Sequence, residues 1–412
     1  MITKLGLFWY NPIMLLHCDT ERLRTLLDRV SDTTYSNFYR IKFLDSDETA
    51  FTDLPFLTRA EIANTPPEDR CYTPMNNLTF TAYTSGTSSG NPLLLFFAQV
   101  ADYHFDPSFN LPVKRALILY PPLLKSFSGS FIQQCTQSGS GLLPVFGDIN
   151  NLAASAALSN KFECDTLFAT PTIALRFATQ TSTATIKLLV VASELSSDTI
   201  LKQLRAQYPF AKIVNMYASA EVGQFILGPT QGMITNNQSG FVPNQSALIA
   251  TELIDGELVI TYDSNPAFPL IRYRTGDYFT ITGTDESTQL PILELNGRNG
   301  VDVVRVAGFE LRAGTLDDCC SSAGLRPGDY QLHIEPGEDD DINFRLEILR
   351  DSLALYGDTN QLSQHLLDRL YLAKDYSLRM AIEKDLIATI HIQTVDSLSV
   401  TGNKRRPLIC TL

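Results

Sequence analysis

The segment at residues 84–92, with the sequence TSGTSSGNP, is a run of small hydroxyl residues and glycines between two apolar runs, LTFTAY and LLLFF. Glycines let the backbone turn several N–H groups toward one point, and Ser and Thr hydroxyls add donors for an anionic oxygen. Both flanks are rich in aromatic, β-branched and leucine residues, so we predict a strand on each side of a phosphate-binding loop. The loop is not of the Walker type, because no Lys follows Gly90. A Ser/Gly-rich surface hairpin is the alternative interpretation.

The composition indicates a globular protein and argues against a nucleic-acid partner. A chain of 412 residues with 44% hydrophobic content can bury one large core and a smaller second one. The formal net charge of -13 is opposite to that of nucleic-acid-binding surfaces. Seven cysteines without CxxC pairs or regular spacing favour a reducing cytoplasm. No stretch approaches the roughly 18 apolar residues of a membrane span, so no membrane association is expected.

The order of apolar runs predicts an α/β fold with two domains. Short apolar runs alternate with helix-like stretches over residues 116–208, which indicates parallel-type α/β layers. Residues 247–282 are β-rich, with a hairpin signal at Asp255-Gly256. After residue 297 a βαββαβ-like unit follows, with helices near 314–322 and 361–373 and a last strand at 388–395. We expect a large multi-sheet N-terminal domain (1–296) that includes a β-rich subdomain, and a small mobile α+β C-terminal domain (297–412) joined by a hinge.

Three further segments carry polar residues where a nucleotide could bind. NMYASAEVG at 215–223 follows an apolar strand, and ligands bind at the carboxyl ends of strands in α/β sheets. There Tyr217 could cover a base and Glu221 could bind Mg²⁺. In IRYRTGD, Asp277 follows a Thr-Gly turn at the expected start of a strand and could accept hydrogen bonds from a ribose diol. The tail TGNKRRP at 401–407 is the candidate anion ligand of the last domain. A buried tyrosine, a solvated glutamate, a plain turn and a solvated tail are the structural alternatives.

A fifth segment, GRNGVDVVRVAG at 297–308, lies between IRYRTGD and the tail. In this order the five segments resemble the core motifs of the adenylate-forming superfamily, which includes acyl-CoA synthetases, peptide-synthetase adenylation domains and luciferase. The resemblance extends from Leu54 to the C-terminus and includes ASEL and GELVIT at intermediate positions. It is most similar to the short phenylacetate-CoA ligase branch through LPFLTRAEI and FPLIRYRTGD. It is also similar to the indoleacetate-lysine ligases through SGTSSGN and YASAEVG.

The resemblance implies a ligase that activates a carboxylic acid with ATP as an acyl-adenylate, releases pyrophosphate, and transfers the acyl group to CoA. ATP, Mg²⁺ and CoA are the implied cofactors and co-substrates. Apolar residues at 167–176 suggest an aromatic or hydrophobic acid. Three alternatives stay open for the acceptor and the activity. They are an amide ligase using an amino acid or amine, a loader of a carrier protein, and a degenerate nucleotide-binding or partner-binding homologue.

The resemblance also implies roles for individual residues. Lys404, Glu221 and Thr87 are the implied catalytic residues, and Glu221 is also the implied metal ligand. Asp302 is a candidate for the acid at the hinge. The implied nucleotide-binding residues lie in the loop, in ASEL, in NMYAS and at the ribose and hinge positions: Thr84, Ser85, Gly86, Thr87, Ser88, Ser89, Gly90, Ser193, Glu194, Asn215, Tyr217, Ala218, Ser219, Asp277 and Arg298.

Several positions depart from the family pattern. The loop is one residue longer than TSGTTGxPK, and leucine stands where many members carry a lysine. Ala220 replaces a Thr or Ser that would donate to the α-phosphate. In the tail, either Asn403 or Lys404 occupies the position of the catalytic lysine. These departures are the reason why the degenerate homologue stays an alternative.

Overall fold

The computed structural model describes residues 13–43, 51–83, 93–98, 109–120, 141–222, 224–298, 300–337, 341–352, 358–373, 375–399 and 405–411. The predicted phosphate-loop residues, Thr84 through Gly90, lie outside the described residues. So do the two candidates for the tail lysine position, Asn403 and Lys404.

The helices, numbered in chain order, are α1 (Thr20–Ser31), α2 (Phe38–Lys42), α3 (Arg59–Asn64), α4 (Leu152–Lys161), α5 (Pro171–Phe177), α6 (Asp198–Gln207), α7 (Gln231–Asn236), α8 (Ala313–Ser322), α9 (Thr359–Arg369) and α10 (Leu378–Glu383). The strands are β1 (Ile13–Cys18), β2 (Leu78–Tyr83), β3 (Leu94–Ala98), β4 (Arg115–Leu119), β5 (Leu143–Phe146), β6 (Thr166–Ala169), β7 (Leu188–Ala192), β8 (Lys212–Ser219), β9 (Gln224–Gly228), β10 (Val242–Pro243), β11 (Leu248–Ile254), β12 (Glu257–Tyr262), β13 (Leu270–Thr284), β14 (Pro291–Arg298), β15 (Val303–Val306), β16 (Phe309–Arg312), β17 (Tyr330–Pro336), β18 (Ile342–Leu349), β19 (Tyr371–Ala373), β20 (Tyr376–Ser377), β21 (Thr389–Val395) and β22 (Leu408–Cys410).

A seven-stranded sheet with the order β10-β9-β8-β7-β6-β4-β5 confirms the predicted α/β layers. Its strands β5, β4, β6, β7 and β8 pair in parallel. Alternate side chains of these strands enter two different cores: Leu167 packs with residues of α4, α5 and α6, whereas Phe168 packs on the opposite face. Both faces are therefore covered, which explains the almost continuous apolar runs of the parallel strands. Ser197 caps α6 by accepting a hydrogen bond from the backbone of Ile200, as the sequence predicts.

A five-stranded antiparallel sheet, β1-β11-β12-β13-β14, is the predicted β-rich part. Asp255 and Gly256 turn the chain between β11 and β12 with φ values of 51° and 83°, which are the left-handed values that a tight hairpin requires. One detail of the sequence prediction is wrong. Asp277 was expected at the start of a strand, but it lies inside the 15-residue β13. The Thr275-Gly276 dipeptide breaks the pairing with β12 without ending the strand, because Gly276 adopts a φ of 76°.

The two apolar runs that flank the predicted phosphate loop are strands, as expected. β2 and β3 pair antiparallel, with Tyr83 opposite Leu94 at the end next to the loop. The buried guanidinium of Arg70 donates to the carbonyl of Leu94 at 2.5 Å. The first residue of β3 is therefore fixed to the core.

The C-terminal residues form their own hydrophobic core, built by α8, α9 and the sheet β21-β18-β17-β22. Two boundaries predicted from the sequence are wrong here. The helix predicted over 361–373 ends at Arg369, because Leu370 turns to an extended conformation and residues 371–373 pair with β20 as β19. The strand at 388–395 is not the last one, since β22 follows and pairs in parallel with β17. With three residues, β22 is too short to give a period-2 pattern.

Candidate functional site

One pocket gathers most of the described residues that the sequence singles out. It opens beyond the carboxyl ends of β7 and β8, and β13, β14, α3 and the tail contribute to its walls. This is where a ligand binds in an open α/β sheet. Its lining includes Arg59, Ser193, Glu194, Asn215, Tyr217, Ala218, Ser219, Ala220, Glu221, Asp277, Arg298, Asp302, Arg405 and Arg406.

Tyr217, Asp277 and Arg298 form one side of the pocket, which we call the ribose wall. Tyr217 Oη donates to Asp277 Oδ2 at 2.6 Å. Arg298 donates to both carboxylate oxygens of Asp277, from Nε at 2.8 Å and from Nη2 at 2.9 Å. A carboxylate accepts about four hydrogen bonds, so three protein donors leave Asp277 room for about one more. Asp277 raises the pKa of Arg298, whereas burial, followed by the Asp277 charge, raises the pKa of Tyr217.

Strand pairing brings the ribose wall together. Asp277 on β13 lies directly opposite Arg298 on β14. The ring of Tyr217, at the end of β8, packs edge-to-face on Phe279 with 5.3 Å between ring centroids. Both the ring and the hydroxyl of Tyr217 therefore contact β13 of the β-rich sheet.

The turn after β14 places Asp302 next to the ribose wall. Gly297 has a φ of 105°, and a Cβ there would lie 2.5 Å from Asp302 Cβ, so glycine is required for this close approach. Asp302 Oδ2 accepts a hydrogen bond from the backbone N of Arg298 at 3.1 Å. Burial raises the pKa of Asp302 to about 6. The candidate hinge acid therefore contacts the ribose wall through the backbone.

Glu221, Ser219 and Arg59 form the other side of the pocket, the phosphate wall. Arg59 Nη1 lies 2.6 Å from Glu221 Oε1, and Ser219 Oγ donates to Glu221 Oε2 at 2.5 Å. Glu221 is 9% exposed and Arg59 is 23% exposed, so the pair is largely screened from water. Because Ser219 donates to Glu221, its hydroxyl is not a free replacement for the hydroxyl absent at Ala220.

Arg59 reaches this wall because β13 holds the segment before α3. The backbones of Leu57 and Arg272 are hydrogen-bonded at 3.0 Å, and Arg274 N donates to Leu57 O at 2.9 Å. The buried guanidinium of Arg272 donates to the carbonyl oxygens of Thr52 and Leu54 at 2.6 and 2.5 Å. It also forms a bidentate pair with the carboxylate of Glu252 at 2.8 and 3.1 Å. In the sequence, LPFLTRAEI contributes only to the family resemblance, and the pairing of Arg59 with Glu221 is not predicted.

The phosphate wall can supply one carboxylate to a metal ion. In the described part of the chain, no group of three His, Cys, Asp or Glu side chains is arranged to hold a metal. Mg²⁺ that binds together with a nucleotide needs only one or two protein carboxylates, because phosphates and waters supply the remaining ligands. Glu221 fits this requirement once its oxygen that faces Arg59 is released.

The remaining predicted residues line the pocket between its two walls and the tail. Ser193 has a φ of 75°, and Asn215 Oδ1 accepts a hydrogen bond from Ser196 Oγ at 3.2 Å. Glu194 accepts hydrogen bonds from Thr172 Oγ1 at 2.8 Å and from the backbone N of Arg405 at 3.0 Å. The position of Arg405 in the pocket is not predicted from the sequence, because the family resemblance marks only the lysine that precedes it.

Comparison with known proteins identifies the fold. No protein-family model matches the sequence, and a search of curated proteins gives no match either. Solved structures do match: 2-hydroxyisobutyryl-CoA ligase in the postadenylation state, in complex with R3-HIB-AMP, has a TM-score of 0.72 at 16% identity, covering 96% of this chain and 91% of that chain. The chain has the fold of this CoA ligase.

Other structures with the ligase fold match as well. The same CoA ligase in the thioesterification state, in complex with 2-HIB-AMP and CoA, has a TM-score of 0.58 at 16% identity, covering 96% and 91% of the two chains. O-succinylbenzoate coenzyme A synthetase from Bacillus subtilis, in complex with AMP, has a TM-score of 0.53 at 15% identity, covering 79% of this chain and 67% of that chain. Among the described residues, no helix is long and apolar enough to cross a membrane.

Proposed function

We propose that this protein is an ATP-dependent carboxylate ligase that forms an acyl-adenylate and transfers the acyl group to CoA. The observation that supports the proposal is that the ribose wall, the phosphate wall and the tail arginines line the same pocket. The ligase fold supports it, because the matching proteins include CoA ligases bound to AMP or to acyl-adenylates.

In the first half-reaction, a carboxylate oxygen of the acid attacks the α-phosphorus of ATP. The new C–O–P linkage forms while the bond from that phosphorus to the bridging oxygen of the β-phosphate breaks, and pyrophosphate leaves with both electrons of that bond. Such transfers depend on positioning and on stabilising charge on the phosphoryl oxygens, so no side-chain nucleophile is needed. Mg²⁺ bound with ATP neutralises part of the phosphate charge.

This chain's residues divide the binding work between the two walls. On the ribose wall, Asp277 accepts from a ribose hydroxyl, Arg298 orients Asp277 through two hydrogen bonds, and Tyr217 covers the adenine. On the phosphate wall, Glu221 would hold Mg²⁺, and Arg59, which pairs with Glu221 in this structure, would then pair with phosphate oxygens. A cation at Arg59 suits a chain whose loop lacks the usual lysine.

By resemblance, we assign the remaining contacts to residues outside the described ranges. Ser85, Thr87 and Ser88 hold the β- and γ-phosphates, and Lys404 donates to the α-phosphate and the attacking oxygen. In the second half-reaction, the thiol sulfur of CoA attacks the acyl carbon. The carbon–oxygen bond to AMP breaks, AMP leaves as the anion, and the thiol proton passes to solvent.

The present arrangement of the chain corresponds best to the first half-reaction. At equal identity and coverage, the TM-score is 0.72 with the postadenylation state and 0.58 with the thioesterification state of 2-hydroxyisobutyryl-CoA ligase. We propose that residues 297–412 rotate as one domain relative to residues 1–296 between the two steps. The separate hydrophobic core of the C-terminal residues supports this division.

We further propose a small aromatic or hydrophobic acid as substrate. Residues 167–176, where the sequence predicts one side of the acid pocket, are buried except for Arg176, and most of them are apolar. The structures of matching ligases include complexes with 2-HIB-AMP, anthranoyl-AMP and OSB-AMP. An amine or a carrier protein is the alternative acceptor.

Product analysis by mass spectrometry tests the proposal. The protein is incubated with ATP, Mg²⁺, a pool of small acids that includes phenylacetate, anthranilate, o-succinylbenzoate and 2-hydroxyisobutyrate, and either CoA or pooled amines. We expect AMP, pyrophosphate and an acyl-CoA. An amide product would show that the protein is an amide ligase and that an amine is the acceptor. No acid-dependent exchange of pyrophosphate into ATP with any acid would support the degenerate homologue instead.

A further inference from the structure

The tail is anchored at several points immediately around the position of the proposed catalytic lysine. Gln331 on β17, which is 1% exposed, donates through Nε2 to the carbonyl oxygens of Ser399 at 3.0 Å and of Arg406 at 2.6 Å. One side chain thus joins the two ends of the chain segment that includes Lys404. The spacing between these ends is therefore fixed by a residue of the C-terminal core.

Arg405 is anchored to the same core by its guanidinium group. It donates to both carboxylate oxygens of Asp317 on α8, from Nη1 at 3.0 Å and also from Nη2. Tyr330 Oη donates to Asp317 at 2.6 Å, and the Tyr330 ring lies 5.5 Å from the Arg405 guanidinium carbon. Arg405 is 7% exposed and Asp317 is 1% exposed, so this is a buried, hydrogen-bonded ion pair whose geometry is rigid.

The backbone of Arg405 makes a different contact, which reaches the seven-stranded sheet. Its N–H donates to Glu194 Oε1 at 3.0 Å. Glu194 is held in place by Thr172, whose backbone N and Oγ1 donate to Oε2 at 3.2 and 2.8 Å. Two further hydrogen bonds join the two parts through carboxylates on α8: Ser197 Oγ lies 3.3 Å from Asp317 Oδ2, and Thr199 Oγ1 donates to Asp318 Oδ1.

We propose that Glu194 is a positioning residue for adenylation. It fixes the backbone of Arg405, which follows the candidate lysine Lys404 in sequence, against the nucleotide pocket. This inference rests on the proposed function, and it gives Glu194 a different role from the nucleotide contact that the family resemblance implies. Because the Glu194–Arg405 bond joins parts that separate when the C-terminal domain rotates, it serves the first half-reaction and must break for the second.

The decisive variant is E194Q, which keeps the shape of the side chain. Its amide can offer one oxygen only, so an N–H group faces either Thr172 or Arg405, and the bond to the tail is lost or weakened. T199V is the matched control. It removes the hydrogen bond between Thr199 on α6 and Asp318 on α8, which also joins the two parts but lies on the exposed surface.

The two half-reactions are measured separately. Acid-dependent exchange of pyrophosphate into ATP reports the first, and transfer from the synthetic adenylate of the same acid to CoA reports the second. For E194Q we expect the maximal exchange rate to fall about tenfold or more, with the KM for ATP changed less than about threefold and the transfer rate unchanged. T199V should alter neither. Equal losses in both half-reactions of E194Q, or an unchanged exchange rate, would overturn the proposal.

Amide hydrogen exchange tests the same contact without any substrate. In the wild type, the Arg405 amide is the donor to Glu194, so in a peptide that begins at least two residues before Arg405 this amide should exchange faster in E194Q by about tenfold and remain unchanged in T199V. If wild-type protein catalyses no pyrophosphate exchange, the proposed function fails while this measurement still decides the contact. An unchanged Arg405 amide in E194Q would overturn the positioning role directly.

Discussion

The ribose wall and the phosphate wall of the pocket are built on opposite principles. On the ribose wall, Asp277 has a cation and a hydroxyl as partners, and it still has room to accept from a ligand. On the phosphate wall, the carboxylate of Glu221 is held by Arg59 and Ser219, so a metal ion must displace a protein contact. Under the proposed function, the first wall is organised before a nucleotide binds and the second is completed by the nucleotide and its metal ion. The predictions below test this difference.

Removing the charge at the centre of the ribose wall should have the largest effect. In D277N the amide cannot accept from both Arg298 nitrogens and from Tyr217. We expect ATP to bind about 100-fold more weakly and the free energy of unfolding to fall by about 2 to 3 kcal/mol, slightly less than for a fully buried pair that loses one partner. Calorimetry and urea unfolding measure these two quantities.

The control for D277N is D263N, which removes the 2.9 Å ion pair with Arg22 away from the pocket. This pair is partly exposed, so its loss should cost less than about 1 kcal/mol and leave ATP binding unchanged. Equal effects of D277N and D263N on ATP affinity would contradict a preorganised ribose wall.

On the phosphate wall, E221Q and R59Q should shift the Mg²⁺ requirement in opposite directions. E221Q removes a metal ligand, so the Mg²⁺ concentration for half-maximal pyrophosphate exchange should rise about tenfold. R59Q removes a competitor for Glu221, and the same concentration should fall about threefold while the maximal rate decreases. Titration with Mg²⁺ at saturating ATP measures both. A rise in the Mg²⁺ requirement of R59Q would show that Arg59 supports the metal site instead of competing for it.

Loss of the Tyr217 hydroxyl should produce a smaller change on the ribose wall. Y217F keeps the ring on Phe279 but removes a hydrogen bond to a carboxylate, so the KM for ATP should rise about fivefold. Y208F is the matched control, since the Tyr208 hydroxyl donates to the carbonyl of Ala174 at 2.6 Å in another core. It should cost about 1 kcal/mol of stability without a change in KM. A KM that does not respond to Y217F would limit Tyr217 to packing.

The smallest effect is expected at Asp302 and depends on pH. Because burial raises the pKa of this acid from 3.8 to about 6 in the folded protein, its stabilising contribution is complete below the unfolded value and is lost as pH rises through about 6. At pH 7.5, D302N should therefore melt a few degrees above the wild type, because its free energy of unfolding should be larger by about 1 to 2 kcal/mol. At pH 5 the difference should be smaller. Melting curves at both pH values measure it, and a difference that grows toward low pH would refute the assignment.

The sequence predicts the ribose wall better than the phosphate wall for a physical reason. Tyr217 and Asp277 lie within β8 and β13, two strands whose apolar residues are visible in the sequence, and strand pairing brings Asp277 opposite Arg298. The Arg59–Glu221 pair joins residues 162 positions apart through α3, and no local periodicity encodes such a contact. Short elements such as β19 and β22 escaped prediction because pairing across the chain, and not propensity, determines them.

The position of Arg272 has a consequence for the order in which the pocket is assembled during folding. Its guanidinium joins β13 to Leu54 and Thr52, which are 218 and 220 residues away in sequence. Contacts with such long separations close late, because the entropy of loop closure must be overcome before they form. A chain emerging from the ribosome can complete neither the Arg272 contacts nor the attachment of α3 until β13 has been synthesised. The arginine that faces Glu221 therefore reaches its place only after most of the larger domain is present.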